Sequence, residues 1–143
     1  MNAMLLQPYL FFSGRCEEAL EFYRQALNAE IEMLLRFKDS PEPAPPDMLQ
    51  SGFEDKVMHA SLRIGDLRLL ASDGCDDATR FSGFRLSLAF RTESEARQAF
   101  DALAEGGQVE MPLEKTFWSS CFGMLTDRFG VGWMIGIAEK PTL

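Results

Sequence analysis

The 143-residue chain has a single histidine and three cysteines, and these scarcities exclude more chemistry than its common residues suggest. Cys16, Cys75 and Cys121 are odd in number, widely spaced and without a Cys-x-x-Cys pair. That spacing argues against a disulfide framework and against a thiolate zinc site, and the expectation is reduced thiols in a cytoplasmic protein. His59 would have to serve any catalytic triad alone, and the sequence has no G-x-S-x-G turn, so a serine hydrolase finds no support. There is no G-x-G-x-x-G either, and Gly106-Gly107 closes a helix pattern instead of opening one, which leaves no phosphate cradle. Long apolar runs are missing: Met4–Leu6 and Tyr9–Phe12 are split by Gln7 and Pro8, far short of a membrane span. The first basic residue, Arg15, follows the apolar segment, so neither a signal peptide nor a membrane partner is expected. No basic stripe is present and the net charge is −8, which removes nucleic acid from the expected partners.

What remains is ordinary globular composition, 46% hydrophobic and 25% charged, in a length suited to one domain, residues 1–143. Two helices stand out. Glu17–Leu27 puts Ala19, Leu20, Tyr23, Ala26 and Leu27 at helical spacing, with acidic residues in the first turn and Asn28 as a left-handed stop. Glu93–Glu105 has Thr92 and Glu95 as a capping box and Ala96, Ala99, Phe100 and Leu103 as its apolar stripe. The other segments have strand patterns: Leu5–Phe12, Glu30–Lys38, Val57–Ile64 and Leu67–Ser72, then Phe84–Arg91, Val109–Met111, Phe122–Thr126 and Val131–Ala138. The order is β-α-β-β-β twice, with module one about 1–74 and module two about 82–143. Leu5–Phe12 has the pattern of a strand covered on both sides. In Glu30–Lys38, Ile31, Met33, Leu35 and Phe37 share one face by simple alternation. The proline-rich stretch Asp39–Lys56 is expected to be a mobile flap without regular structure.

Each module has one sheet face to hide under its helix and one left over. In Val57–Ile64, Met58, Ala60, Leu62 and Ile64 point one way while His59, Ser61 and Arg63 point the other. Phe84–Arg91 splits likewise, with Arg85, Ser87, Ala89 and Arg91 opposite its apolar positions.

The stretches Pro8-Tyr-Leu-Phe-Phe-Ser-Gly, Ala19-Leu-Glu-Phe-Tyr, His59-Ala-Ser-Leu-Arg-Ile-Gly-Asp, Thr116-Phe-Trp118 and Phe122-Gly-Met-Leu-Thr-Asp-Arg-Phe-Gly-Val-Gly-Trp-Met-Ile135 resemble the PhnB-like family, some members of which are labelled 3-demethylubiquinone 3-methyltransferase. That family belongs to the glyoxalase/bleomycin-resistance/dioxygenase, or vicinal oxygen chelate, superfamily. The resemblance covers essentially the whole chain and implies an α+β fold of two tandem βαβββ modules. It departs from the pattern at Gly132, where relatives often carry proline.

Metal-dependent members of the superfamily place one ligand on the first and one on the last strand of each module. Carried over, those positions fall on Pro8, on Leu70 or Ala71, on Arg85 and on Met134, none of them a donor for a hard divalent ion. No cofactor is expected, and a divalent metal is disfavoured. The candidate ligand-binding residues are His59, Ser61, Arg63, Arg85, Phe117 and Trp118, with His59 also the candidate general base. Arg63 and Arg85 would make the site locally positive. The expected function is small-molecule binding in a metal-free cavity, with an enzyme of the superfamily as the alternative, in a homodimer.

Overall fold

In the computed structural model, residues 4–42, 47–78 and 80–138 are described. They form two units, Met1–Arg80 and Phe81–Leu143. In the first, β1 (Tyr9–Phe11), α1 (Cys16–Leu27), β2 (Glu30–Arg36), β3 (Val57–Ile64) and β4 (Leu67–Ser72) build a sheet of order β1-β4-β3-β2. In the second, β5 (Leu86–Phe90), α2 (Glu93–Ala104), β6 (Gln108–Glu114), β7 (Phe122–Thr126) and β8 (Gly132–Ile137) repeat the plan as β5-β8-β7-β6. In both sheets the first and last strands pair in parallel and the other neighbours antiparallel. Two tandem βαβββ units are thus present.

The core of each unit lies between helix and sheet. Ala19, Leu20 and Tyr23 of α1 are buried, as are Leu10, Ala60, Leu62, Leu69 and Ala71 of the strands. In the second unit Ala96, Ala99, Phe100 and Leu103 of α2 are buried, with Leu125, Trp133 and Ile135 of the strands. Gly123 leaves room for α2 against the sheet: a Cβ there would sit 2.8 Å from Phe100 Cε2.

Two buried carboxylates join the elements. Asp73, 1% exposed, follows β4 and accepts from the backbone N–H of Gly14 (2.8 Å), Cys16 (2.7 Å) and Val57 (2.8 Å). The start of α1 has no side-chain cap of its own from Arg15, and Asp73 satisfies its first donor, Cys16 N–H, from across the unit. Asp127 follows β7 and accepts from Phe129 and Val131 N–H and from the Trp133 indole N–H at 2.8 Å. Burial first, then Asp73 and Glu17, hold the Cys16 thiol pKa well above the ordinary range, which sets it apart from reactive chemistry.

Four segments differ from the sequence expectation. β1 is short, and Leu5 and Leu6 before it are 78% and 95% exposed, so this is not a strand covered on both sides within its unit. A bulge between Ile31 and Met33 turns β2 over. Ile31 stands opposite Leu62, on the helix side, while Met33 and Leu35 stand opposite Ser61 and His59. β6 runs past Met111 to Glu114 despite Pro112, because it is an edge strand and its register shifts there. The stretch after β2 is in part ordered: short 3₁₀ turns close Phe37–Asp39 and Phe53–Asp55, and Phe53 is 5% exposed. Residues 43–46, which hold most of its prolines, lie outside the described residues.

Candidate functional site

In the first unit the sheet face away from α1 is built by strand alternation. His59, Ser61 and Arg63 of β3 share it, as expected. Register then adds Leu70 and Ser72 of β4, Tyr9 and Phe11 of β1, and Met33 and Leu35 of β2. Tyr9, Phe11 and Met33 are 39%, 41% and 44% exposed, so this face is apolar and open within its unit. Polar atoms sit among them: Ser61 and Ser72 are buried, and the Ser72 hydroxyl is held by Val57 O and Gly74 N–H.

His59 is partnered by Tyr9, a residue the sequence reading did not select. The Tyr9 hydroxyl lies 2.9 Å from His59 Nδ1, reaching across β4, and the two rings are 5.6 Å apart. Phe11 stacks on Tyr9 at 5.1 Å. The signal was available in the alternation of β1, where Leu10 and Phe12 are buried and Tyr9 and Phe11 are not. Burial raises the Tyr9 pKa, the Cys16 thiol adding to the shift and Ser72 opposing it, so the phenol keeps its proton.

Arg63 closes one end of this face, ion-paired to Glu30 and 3.9 Å from Glu32, while Arg68 holds Glu32 at 2.5 Å. The expected positive charge is therefore offset by carboxylates on the same face. Arg85, in the second unit, is paired as well: its guanidinium donates to Glu110 and to Leu125 O at 3.2 Å. Thr126 also donates to Glu110, and these two contacts hold that carboxyl below its usual range. The Arg85 stem crosses Gly132, where a Cβ would come within 3.0 Å of its Cγ, so glycine at this position leaves room for the side chain.

The open face of the second sheet carries Met111, Met124 and Met134 with Ser87, Ala89 and Gly136. Arg85 borders a depression of about 520 Å³ with Phe81, Phe84, Thr126 and Met134. Trp118, half exposed, packs edge-on against Phe122 at 5.5 Å, and Phe117, 97% exposed, packs on Trp118. Phe122 stands opposite Gly136, whereas Arg85 lies beside Gly132, so Trp118 and Arg85 occupy opposite ends of β8. Of the six candidates, His59, Ser61 and Arg63 thus share one face, and Arg85, Phe117 and Trp118 belong to the other unit. A second depression, about 600 Å³, lies where α1 begins. Its charges already answer one another, Arg36 with Glu17 at 2.7 Å and Lys38 with Asp55 at 2.8 Å.

The metal positions of the superfamily do not fit a metal here. Pro8 offers only its carbonyl, which accepts from Leu70 N–H; Leu70 and Met134 are apolar; Arg85 is a cation bound to Glu110. Among the described residues no three His, Cys, Asp or Glu side chains gather where they could hold an ion.

A family model described as 3-demethylubiquinone-9 3-methyltransferase matches residues 5–136. The chain belongs to this PhnB-like family. It is 36% identical to protein YjdN of Escherichia coli (strain K12), over 97% of this chain and 99% of that protein. It is 44% identical to PA1353 from Pseudomonas aeruginosa, whose crystal structure superposes with a TM-score of 0.83 over 96% of this chain and all of the other. A PhnB protein from Bacillus cereus follows at 28% identity and a TM-score of 0.78, over 94% of this chain and all of that one. The fosfomycin resistance protein FosX of Listeria monocytogenes, at 12% identity and a TM-score of 0.64 over 97% and 96% of the two chains, shares the fold. This PhnB-like chain thus has the fold of the vicinal oxygen chelate superfamily. No helix among its described residues is long and apolar enough to cross a membrane.

Proposed function

We propose that this PhnB-like chain is a small-molecule binding protein whose site uses the open face of the first sheet and needs no metal. The observation that carries the reading is the face around His59, where exposed Tyr9, Phe11 and Met33 surround one imidazole and the buried Ser61 hydroxyl. An apolar floor with a few fixed polar groups is the usual make-up of a small-ligand site. The arginines nearest this face are matched by Glu30 and Glu32, which favours a ligand whose polar end is a neutral oxygen acceptor over a multiply charged anion.

A second reading, an enzyme of the superfamily acting through His59, is favoured by one observation: Nε2 of that ring has no partner among the described residues, while Nδ1 is engaged. The methyl transfer suggested by the family description is not part of either reading. Binding of S-adenosylmethionine usually relies on a glycine-rich turn in a doubly wound parallel sheet, and both sheets here are mixed and four-stranded.

The working form in this proposal is a cytoplasmic homodimer. Met4, Leu5, Leu6 and the open faces leave apolar surface that a second copy would cover. A thermal-shift screen against a metabolite library tests the ligand reading, since a ligand at a hundred times its Kd stabilises by about 2.7 kcal/mol. At least one apolar carbonyl compound is expected to raise the melting temperature; a library without effect at millimolar concentration contradicts the reading. Light scattering is expected to give twice the mass of the chain, and a monomer at micromolar concentration contradicts the dimer.

A further inference from the structure

We infer that Tyr9 is a positioning residue for His59: its phenol donates to Nδ1, holds the ring in the Nε2–H tautomer, and so presents Nε2–H on the open face as a donor for a carbonyl-type oxygen. The ligand part of this inference rests on the binding reading above; the positioning part stands on geometry alone.

A neutral imidazole has one donor and one acceptor nitrogen, and the partner of one decides the role of the other. Tyr9 Oη is 2.9 Å from Nδ1. A phenol donates more readily than it accepts, and burial keeps this one protonated, so the proton of the hydrogen bond belongs to oxygen and Nδ1 accepts. The phenol is itself fixed. Phe11 stacks against it at 5.1 Å, and Tyr9 sits in β1 directly opposite Leu70 of β4. His59 is equally fixed, in the middle of β3 opposite Leu35. Two strands thus set the pair with β4 between them, and neither side chain depends on a loop. Nε2 is left without a partner among the described residues and is accessible, since no buried side-chain nitrogen or oxygen of those residues lacks a hydrogen bond. Protonation of the ring would leave a hydrogen on Nε2 as well, so this nitrogen is a donor in both states. His59 is therefore built to grip an acceptor through Nε2 and is poorly arranged to take a proton there.

The test uses the full chain with ¹⁵N-labelled histidine, whose single site makes assignment unambiguous. At about pH 8.5, above the ordinary imidazole range, Nδ1 is expected at a pyridine-like shift displaced by hydrogen bonding, with Nε2 at a pyrrole-like shift. Tyr9→Phe keeps the ring and removes the hydroxyl; it is expected to move Nδ1 toward an unbonded acceptor and to lower the Nε2–H population. Phe11→Leu, which keeps the hydroxyl, is expected to leave both nitrogens nearly in place. A pyrrole-like Nδ1 in the native chain, unchanged shifts in Tyr9→Phe, or an equal displacement in Phe11→Leu would each overturn the assignment. Urea unfolding of both variants shows that the fold is intact.

Titration with acetophenone and with benzoate, a neutral carbonyl and its near-isosteric anion, reads the ligand side. Acetophenone is expected to displace Nε2 more than benzoate at equal concentration and to bind several-fold more weakly to Tyr9→Phe. If Tyr9→Phe moves the nitrogens as expected but neither probe displaces Nε2, the positioning role stands and the binding reading fails.

Discussion

The two units have one plan and secure it with different residues. In the first, α1 begins without a local cap, and Asp73 from the end of β4 accepts from its first N–H, that of Cys16, and from Gly14 N–H just before it. In the second, α2 is capped locally: Thr92 Oγ1 accepts from Glu95 N–H at 3.1 Å, and the buried carboxylate, Asp127, serves its own turn and the Trp133 indole. Packing differs in the same way. The strands of the first unit contain no glycine, whereas β7 and β8 carry Gly123, Gly132 and Gly136, and Gly123 admits Phe100 of α2. What the units share is which face meets the helix; what they do not share is the chemistry of the open face. One presents a tyrosine–histidine pair among aromatics, and the other presents methionines with an Arg85–Glu110–Thr126 cluster. Fold constrains the first property and leaves the second free, which is why the proposed site is placed on an open face.

The comparison is broken most severely at the carboxylates. Asp73→Ala strands three backbone donors from two separate segments and should cost about 3–5 kcal/mol, or prevent folding. Asp127→Ala disturbs a single turn and one indole contact, so a smaller loss, about 2–3 kcal/mol, is expected. Denaturant unfolding measures both, and equal losses would mean that long-range tethering by Asp73 is not special. Next in size is Gly123→Ala, where the added methyl must displace Phe100 or the backbone of Leu113 and Met111. A loss of about 1–3 kcal/mol is expected, and a neutral result in the same unfolding experiment would show that α2 has room to move. The smallest effect belongs to Thr92→Ala, about 1 kcal/mol for a lost N-cap. Arg15→Ala, at the same place in the first unit, should leave stability within a few tenths of that scale unless its contact with Glu18 matters more than exposed pairs do.

Much of this architecture was legible from local pattern. The Thr92 N-cap of α2, present without the return bond from Glu95 to the Thr92 N–H that a full capping box needs, and the Asn28 stop of α1, seen at φ 53°, are signals carried by a few adjacent residues. The helix-facing and open faces of β3 followed from alternation alone. What local pattern could not supply was anything set by a neighbour. The bulge at Glu32 reverses the faces of β2, and only its pairing with β3 reveals it. Pro112 interrupts a strand by composition yet is tolerated at an edge, and edge position is a property of the sheet. The same holds for the site. His59, Ser61 and Arg63 sit on one strand and were read together, while Tyr9 lies two strands away. The charges of Arg63 and Arg85 looked free because Glu30 and Glu110 are distant in sequence.

The central claim is that β3 has one face for stability and one for ligand, and a paired measurement tests it. Leu62, fully buried against the helix side, and His59, half-buried on the open side, are three residues apart on the same strand. Leu62→Ala should cost about 2–5 kcal/mol in denaturant unfolding while any folded fraction still binds the acetophenone probe. His59→Ala should unfold near the native midpoint and lose that binding. A histidine variant as unstable as the leucine variant, or one that binds the probe unchanged, would contradict the account.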